Sequence, residues 1–203
     1  LYQPYELALS SAMVETVRKE RLDILHVHYA IPHAYAAFMA RQILADQGIH
    51  IPVVTTLHGT DITLVGQLPA YKPAVCFSIS HSSAVTAVSE SLRQETIQQF
   101  NIVRDITVVP NFVDMKRYGR GDAAARLRIA QPDEAILCHV SNFRKVKRVL
   151  DVISIFAEVH QTRASKMVMV GDGPERPAAE ALAIQLGVQD EVLFLGKTSD
   201  VER

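Results

Sequence analysis

The chain has 203 residues, 48% of them hydrophobic and 21% charged, and its net charge is −1. This length allows one large α/β domain or two smaller ones, and the hydrophobic fraction is ample for a packed core. The near-neutral charge gives no indication of a surface that binds nucleic acid. The apolar runs are only a few residues long, whereas a membrane span needs about 18 or more. No membrane span is therefore predicted.

The cysteines and the first residues of the chain indicate in which cellular compartment the protein is located. Cys76 and Cys138 lie far apart, and neither belongs to a Cys-x-x-Cys pair. A disulfide framework or a zinc ribbon is therefore unsupported, and we expect two buried thiols in a reducing compartment. The first residues lack the basic region of a signal peptide, so the predicted location is cytoplasmic. Because the chain begins with Leu1 and breaks off in polar sequence, we interpret it as an internal fragment.

Strand-length apolar runs alternate with segments of helical period along the whole chain. The predicted strands cover residues 23–28, 52–57, 85–88, 106–109, 136–140, 167–170 and 192–195. Apolar residues at helical spacing predict helices between them. These stripes are Leu9, Met13 and Val17, ending near Glu20; Tyr35, Phe38, Met39 and Ile43, ending near Gly48; Val149, Val152, Ile153, Phe156 and Val159; and Ala179, Leu182, Ala183 and Leu186.

Strands that are apolar on both sides and separated by helices indicate parallel sheets covered on both faces. The expected fold class is therefore α/β with a doubly wound, Rossmann-like architecture, in which ligands bind beyond the carboxyl ends of the strands. The segment 110–114 ends one strand without opening a helix, and the next strand starts only at Ile136. We therefore predict two Rossmann-like domains, residues 1–113 and 114–203.

In the first domain, two polar loops follow predicted strands. One is the run 26–33, with three histidines, but no carboxylate or cysteine accompanies them at ligand spacing, so a metal site is poorly supported. A structural role for His26 and a substrate-facing role for His28 or Tyr29 are expected instead. The other loop is His58-Gly59-Thr60-Asp61, where the histidine should project towards a ligand and the glycine admits it close to the backbone. Alternatively, Thr60 or Asp61 caps a helix and the histidine is merely solvated.

In the second domain, the run 141–148 places four cations in five positions between a strand and a helix that begins near Val149. A helix N-terminus attracts anions, so a bound polyphosphate would explain the cations; a solvated basic turn is the alternative. The run Gly171-Asp172-Gly173-Pro174 begins like a dinucleotide-binding motif but has Arg176 at the third glycine position. A tight strand-to-helix turn is a sufficient structural explanation for it.

These runs together resemble a known family. Residues 141–147, 170–175 and 194–196 resemble the donor-binding domain of retaining glycosyltransferase family 4, and residues 110–114 resemble its interdomain segment. Residues 26–33, 55–61 and 139–148 resemble, more narrowly, the branch of the family that joins N-acetylglucosamine to L-malate in bacillithiol biosynthesis. The resemblance covers essentially the whole chain.

The resemblance implies the two-domain GT-B arrangement, with an N-terminal acceptor-binding domain and a C-terminal donor-binding domain that are both incomplete here. It implies UDP-N-acetylglucosamine as donor, L-malate as acceptor, retention at the anomeric carbon, no cofactor and no required metal. A homodimer is a further possibility that rests on the family alone. The chain has neither the Gly-rich loop nor the Glu-x7-Glu segment of such transferases, so we expect the fragment by itself to be inactive.

The resemblance also assigns roles to residues. Lys147 falls on the family's lysine that contacts the donor diphosphate, and His58 is expected beside the reacting hydroxyl, as a base or only as a positioning group. Asn142 stands where the family commonly has arginine, so Arg144 is the candidate for a second cation; Arg148 replaces the usual glycine. The predicted donor-binding residues are Asn142, Arg144, Lys147, Gly171, Gly173 and Lys197, and the predicted acceptor-binding residues are Tyr29, His58, Gly59, Thr60 and Asn142.

Three alternatives to this function stay open on the sequence alone. The first is another family 4 transferase with a different acceptor, such as an inositol phosphate, a lipid-linked sugar or a polysaccharide end. The second is a UDP-N-acetylglucosamine 2-epimerase, which shares the two-domain architecture but turns over the donor without an acceptor. The third is a non-catalytic module that binds sugar nucleotides.

Overall fold

The computed structural model describes residues 4–116, 118–119 and 123–199. The chain divides into two compact units, Leu1–Phe112 and Val113–Arg203. Each unit contains one parallel β-sheet, and helices lie between its strands along the chain. Among the residues described, none of the helices has both the length and the hydrophobicity needed to cross a bilayer.

The sheet of unit 1 has four strands in the order β1-β2-β3-β4, all paired in parallel. The strands are β1 (Leu25–His28), β2 (Val53–Leu57), β3 (Ala84–Ala87) and β4 (Thr107–Val108). The helices are α1 (Tyr5–Glu20) before β1, α2 (Tyr35–Ala45) between β1 and β2, α3 (Lys72–His81) between β2 and β3, and α4 (Glu90–Phe100) between β3 and β4. The hydroxyl of Ser89 begins α4 by accepting a hydrogen bond from the amide of Leu92.

The buried face of α2 differs from the predicted one. Tyr35 and Ile43 of the predicted stripe are exposed, and the face that packs inward consists of Ala36, Ala37, Ala40 and Leu44. Alanines at these positions bring the helix backbone close to its neighbours, so a row of small side chains is buried and the larger ones point outward. The predicted buried face of α1 is also partly wrong. Ser10, Val14 and Val17 are buried, whereas Leu9 and Met13 are only half-buried.

Unit 2 contains a three-stranded parallel sheet in the order β5-β6-β7. The strands are β5 (Ala135–Val140), β6 (Ser165–Val170) and β7 (Val192–Gly196), and the helices are α5 (Ala123–Leu127), α6 (Val149–Thr162) and α7 (Arg176–Gln185). The predicted start of α6 at Val149 is confirmed. The core of this unit is formed by apolar residues of α6, α7 and β6 together with Phe143, which is fully buried although it lies in a loop.

Two strands are not covered on both faces, contrary to the prediction. In β1 the alternate residues His26 and His28 are exposed, and in β5 Cys138 and Val140 are exposed. Both strands lie at an edge of their described sheet. The prediction that both cysteines are buried is therefore wrong for Cys138, whereas Cys76 is half-buried with its Sγ 3.7 Å from the carbonyl oxygen of Phe100.

Candidate functional site

The loop after β1 folds back over the end of its strand. Tyr29 has a positive φ of 75° and its amide donates to the carbonyl oxygen of Thr56 at 2.9 Å. A π-helical turn, Ala30–Ala34, then leads directly into α2. Within it, Nδ1 of His33 donates to the carbonyl oxygen of His28 at 2.6 Å. The aromatic side chains of this loop are thus held beside the end of β2 rather than free in solvent.

Two histidines from adjacent strand ends form a hydrogen-bonded pair. Nδ1 of His28 lies 2.7 Å from Nε2 of His58. One of these nitrogens must donate and the other accept, so at least one of the two rings is neutral. Burial, followed by the influence of His28, lowers the pKa of His58, and the carboxylate of Asp61 partly opposes this by raising it. The lowered pKa therefore favours the neutral imidazole form of His58.

Asp61 has a structural part that was not predicted from the sequence. Its side chain is only 3% exposed, and it accepts hydrogen bonds from the amides of Ala30 at 2.7 Å and Gly59 at 3.1 Å, with a longer one from the amide of His58 at 3.4 Å. The interpretation of Thr60 or Asp61 as a helix N-cap is wrong, because Gly59 occupies that position in the turn Thr60–Leu64 and no side chain caps it. The aspartate instead connects two loops, a contact between distant residues that no local motif reveals.

The predicted acceptor residues of unit 1 come together at one edge of the sheet. Tyr29 and Thr60 line a largely apolar cavity of about 780 Å³, to which Pro32 and Val65 also contribute. The ring of His58 lies 5.0 Å from that of Tyr29, measured between centroids, although His58 is not part of the cavity wall. Gly59 has a φ of 117°, a conformation that favours glycine. Asn142, also predicted to contact the acceptor, lies in unit 2.

Four of the predicted donor residues line one pocket in unit 2. Asn142, Arg144, Gly173 and Lys197 surround a space of about 350 Å³ together with Asp172 and Pro174. These residues follow β5, β6 and β7, so they share the carboxyl edge of the sheet. Arg144 and Lys197 are exposed, and neither forms an ion pair with any residue in the described ranges. The pocket therefore offers two unneutralised cations beside a single carboxylate.

The two motifs that form this pocket are joined through their main chains. The amide of Ser141 donates to the carbonyl oxygen of Val170, and that of Phe143 to the carbonyl oxygen of Asp172, both at 3.0 Å. A Cβ on Gly171 would lie 1.8 Å from the carbonyl oxygen of Ser141, and one on Gly173 would lie 2.5 Å from that of Phe143. Packing between the loops therefore already requires these two glycines, whether or not they contact a donor.

Lys147 lies outside the lining of this pocket. It ends a short 3₁₀ turn, Lys145–Lys147, and its side chain is exposed. It is close enough to His139 that, after burial, it is the second cause lowering the pKa of that histidine. Arg148 is not an unpaired cation, because it has a φ of 50° and its Nε contacts the carboxylate of Asp151 in the first turn of α6. This ion pair gives one of the four predicted cations a structural role.

A metal centre is not apparent in the part of the chain that the structure describes. No three His, Cys, Asp or Glu side chains there are grouped closely enough to hold a metal ion. The histidines of β1 and of the loops after β1 and β2 are hydrogen-bonded to one another, to Thr56 and to a main-chain carbonyl.

Comparison with known proteins gives family models that match both units. Residues 2–117 match the model described as Glycosyltransferase Family 4, and residues 125–203 match that described as Glycosyl transferases group 1. The chain is 46% identical to N-acetyl-alpha-D-glucosaminyl L-malate synthase of Bacillus anthracis, a match that covers 98% of this chain and 52% of that protein. It is 27% identical to the putative teichuronic acid biosynthesis glycosyltransferase TuaC of Bacillus subtilis (strain 168), covering 86% of this chain and 44% of that one. The chain thus spans about half the length of these curated relatives.

Solved structures agree on the fold. The crystal structure of Anabaena HepE in complex with UDP and glucose matches with a TM-score of 0.73 and 19% identity, covering 98% of this chain and 55% of that one. At this level of identity the likeness supports the fold alone. The predicted α/β class, with two Rossmann-like units of the GT-B type, is confirmed.

Proposed function

The chain belongs to glycosyltransferase family 4, and from this premise we propose that it forms part of an enzyme that transfers N-acetylglucosamine from UDP-N-acetylglucosamine to the hydroxyl group of L-malate. One observation carries the proposal: 46% identity over 98% of the chain to a protein named N-acetyl-alpha-D-glucosaminyl L-malate synthase. Retention of configuration is part of the proposal, because that name specifies an α-glucosaminyl product and the nucleotide donor also carries an α linkage.

The pocket in unit 2 supports a diphosphate-containing donor. Arg144 and Lys197 bring two cations to its wall, and Lys147 lies in the turn that follows Arg144. When the bond between the sugar and the diphosphate breaks, negative charge develops on the leaving group. Fixed cations and helix N-terminal amides stabilise such charge more in the transition state than in the ground state. We assign this role to Lys147 and Arg144, which makes a metal ion unnecessary in the proposed reaction.

On the acceptor side, the reacting hydroxyl of malate has to lose a proton. We propose that His58 lies beside that hydroxyl, because its lowered pKa keeps the imidazole neutral and able to accept a hydrogen bond at neutral pH. Tyr29 and Thr60 supply hydroxyl groups to the same edge of the sheet, and Gly59 lets the main chain approach a small ligand. Asn142 of unit 2 is proposed to contact both substrates.

The direct test is an assay of the full-length enzyme. Incubation with UDP-N-acetylglucosamine and L-malate is expected to give a single α-linked product and free UDP, also in the presence of a chelator. Transfer to another acceptor in preference to malate would contradict the proposed acceptor. Conversion of the donor without any acceptor would point to an epimerase, and tight UDP binding without turnover to a non-catalytic module.

The proposed role of Lys147 is tested by Lys147→Ala in the full-length enzyme. Loss of one preorganised charged donor typically costs about 10²–10³ in rate, so we expect turnover at saturating donor to fall at least tenfold. Arg163→Ala is a matched control, since it removes one exposed cation at the opposite end of α6, about 20 Å away. Near-normal turnover in Lys147→Ala, or an equal loss in the control, would contradict the assignment.

A second measurement of the same role does not depend on catalysis. Because the charge of Lys147 contributes to the lowered pKa of His139, Lys147→Ala should raise that pKa. A diphosphate bound at Lys147 should also raise it, by placing negative charge near the ring. Titration of the His139 ring by NMR, with and without UDP, measures both effects. A pKa of His139 that is unchanged by UDP would place the diphosphate elsewhere.

A further inference from the structure

We propose that Asp61 is a positioning residue of the acceptor side, whose buried carboxylate binds the main chains of two loops and holds His58 against His28. For its effect on catalysis this inference rests on the proposed function, whereas its geometric part stands on the structure of unit 1. From the sequence, Asp61 was a candidate only for a helix N-cap, a position that Gly59 occupies in the structure.

The two oxygens of the carboxylate face different loops. Oδ2 accepts from the amide of Ala30, in the loop after β1, at 2.7 Å. Oδ1 accepts from the amide of Gly59, in the loop after β2, at 3.1 Å, and more weakly from that of His58 at 3.4 Å. Ala30 is fully buried, so its amide has no access to water as an alternative partner. Loss of the carboxylate would leave a buried donor unsatisfied, which is costly, and would release one loop from the other.

This link fixes the spacing between the two histidines. β1 and β2 are adjacent and in register, with His28 opposite Thr56. The hydrogen bond between Nδ1 of His28 and Nε2 of His58 spans 2.7 Å, so a small relative movement of the two loops would break it. Tyr29, which precedes Ala30, packs its ring against His58. A single carboxylate therefore holds the predicted acceptor residues of both loops in one arrangement.

Asp61 also acts on His58 through its charge. The groups facing the imidazole are His26 and His28 from β1, the ring of Tyr29 from the following loop, and Asp61 from its own loop. Burial lowers the pKa of His58 most, and His28 and His26 lower it further, whereas Asp61 alone raises it. The carboxylate thus keeps the imidazole a better proton acceptor than its surroundings alone would allow.

The test compares Asp61→Asn with wild type in the full-length enzyme. An asparagine oxygen can still accept from Gly59 and His58, but its NH₂ group faces the amide of Ala30, so the link between the loops is lost. We expect kcat/KM for the acceptor to fall roughly ten- to a hundredfold, as misplacement of reacting groups typically does. The affinity for UDP should stay within about twofold, because the donor pocket lies in the other unit. Asp46→Asn, at an exposed aspartate after α2, is the control and should leave both quantities unchanged.

A pH profile separates positioning from general loss of stability. In Asp61→Asn the acid limb of kcat/KM for the acceptor, which follows protonation of His58, is expected to move to lower pH because a charge that raises its pKa is gone. A folded variant in which the limb stays in place or moves to higher pH, or in which the acceptor kinetics are unchanged, would overturn the proposal.

A measurement on the unmodified enzyme keeps the inference testable if Asp61→Asn does not fold. The amide protons of Ala30 and Gly59 should both be protected from exchange, because the same buried carboxylate accepts a hydrogen bond from each. Rapid exchange at Ala30 or at Gly59 would overturn it. This result is independent of the acceptor's identity, so a failure of the proposed function would be recognised separately.

Discussion

The two units hold their ligand-facing loops in different ways. In unit 1 the loop after β2 is joined to β1 and to the loop after β1 mainly by side chains, namely the carboxylate of Asp61 and the paired imidazoles of His28 and His58. In unit 2 the loops after β5 and β6 are joined by main-chain hydrogen bonds and by glycines in contact with carbonyl oxygens, which leaves Arg144 and Lys197 free to face the pocket.

This difference has a consequence for what each site can tolerate. An arrangement built from titratable side chains changes with pH and with single charge substitutions. The same side chains hold the loops together and are candidates for a role in the reaction. An arrangement built from the main chain is indifferent to charge but admits no added side-chain atoms. We therefore expect unit 2 to be destabilised most by substitutions that add side-chain volume, and unit 1 by substitutions that remove polar groups.

The largest effect should come from Gly171→Ala. The new Cβ would lie 1.8 Å from the carbonyl oxygen of Ser141, at a φ of 120°. Overpacking and the unfavourable backbone conformation each cost about 1–3 kcal/mol, so we expect unit 2 to lose roughly 3 kcal/mol or more. Denaturant unfolding of the full-length protein, followed with a probe in unit 2, measures this loss.

Gly187→Ala is the matched control for volume. Gly187 also has a positive φ, 69°, but a Cβ there would meet no atom within 4 Å. Only the backbone term applies, and we expect a loss of about 1–2 kcal/mol. Equal losses in the two variants would show that the contact between the loops does not contribute to the stability of unit 2.

A smaller effect is expected from removing a hydroxyl in unit 1. Thr56 is nearly buried, and its Oγ1 lies 2.8 Å from Nε2 of His26 and 2.7 Å from Oγ1 of Thr86. Thr56→Val keeps the shape but removes both of these hydrogen bonds, at a cost of about 1–2 kcal/mol. Thr107→Val, at an exposed position of β4, should change the stability of the same sheet by less than about 0.5 kcal/mol. A loss in the control as large as that in Thr56→Val would argue against the polar network.

The smallest expected effect is a dependence of stability on pH in both units. Burial and then His28 lower the pKa of His58, and burial and then Lys147 lower that of His139, both from an ordinary value of 6.5. The unfolded chain therefore takes up these protons more readily, and stability should be full above pH 6.5 and fall as the pH drops below it towards the lowered pKa values. Thermal unfolding at pH 7.5 and 5.5 measures the change. In His28→Gln the pH dependence of stability that comes from unit 1 should be smaller. An unchanged pH dependence in that variant would contradict the coupling of the His28 and His58 rings.

The features that the sequence revealed are those with a local pattern. Strand-length apolar runs predicted the seven strands, because the strands of a parallel sheet are mostly apolar, although β1 and β5 expose one face. The start of α6 at Val149 followed from its apolar stripe, and the rule that ligands bind at the carboxyl edge indicated the loops after β5 and β6. The individual donor-binding residues were assigned by the resemblance to the family. The predicted roles of Lys147, His58 and the other site residues stay predictions until they are tested in the full-length enzyme.

What the sequence could not reveal depends on contacts between distant segments. The predicted buried face of α2 was wrong because it was chosen from the large apolar residues at helical spacing, whereas close packing buries the alanines. Exposure of Cys138 follows from the edge position of β5, which no property of the strand itself determines. The role of Asp61 depends on the amide of Ala30, 31 residues earlier in the chain.

The alanine face of α2 limits how the histidine-bearing loop can be altered. This helix begins at Tyr35, directly after the turn that contains His33, and its Ala36, Ala37 and Ala40 are completely enclosed. A larger side chain at any of these three positions would displace the helix outward and move the attached turn with it. Libraries intended to broaden acceptor choice should accordingly leave these three sites untouched and diversify the outward-pointing Tyr35 and Ile43 instead.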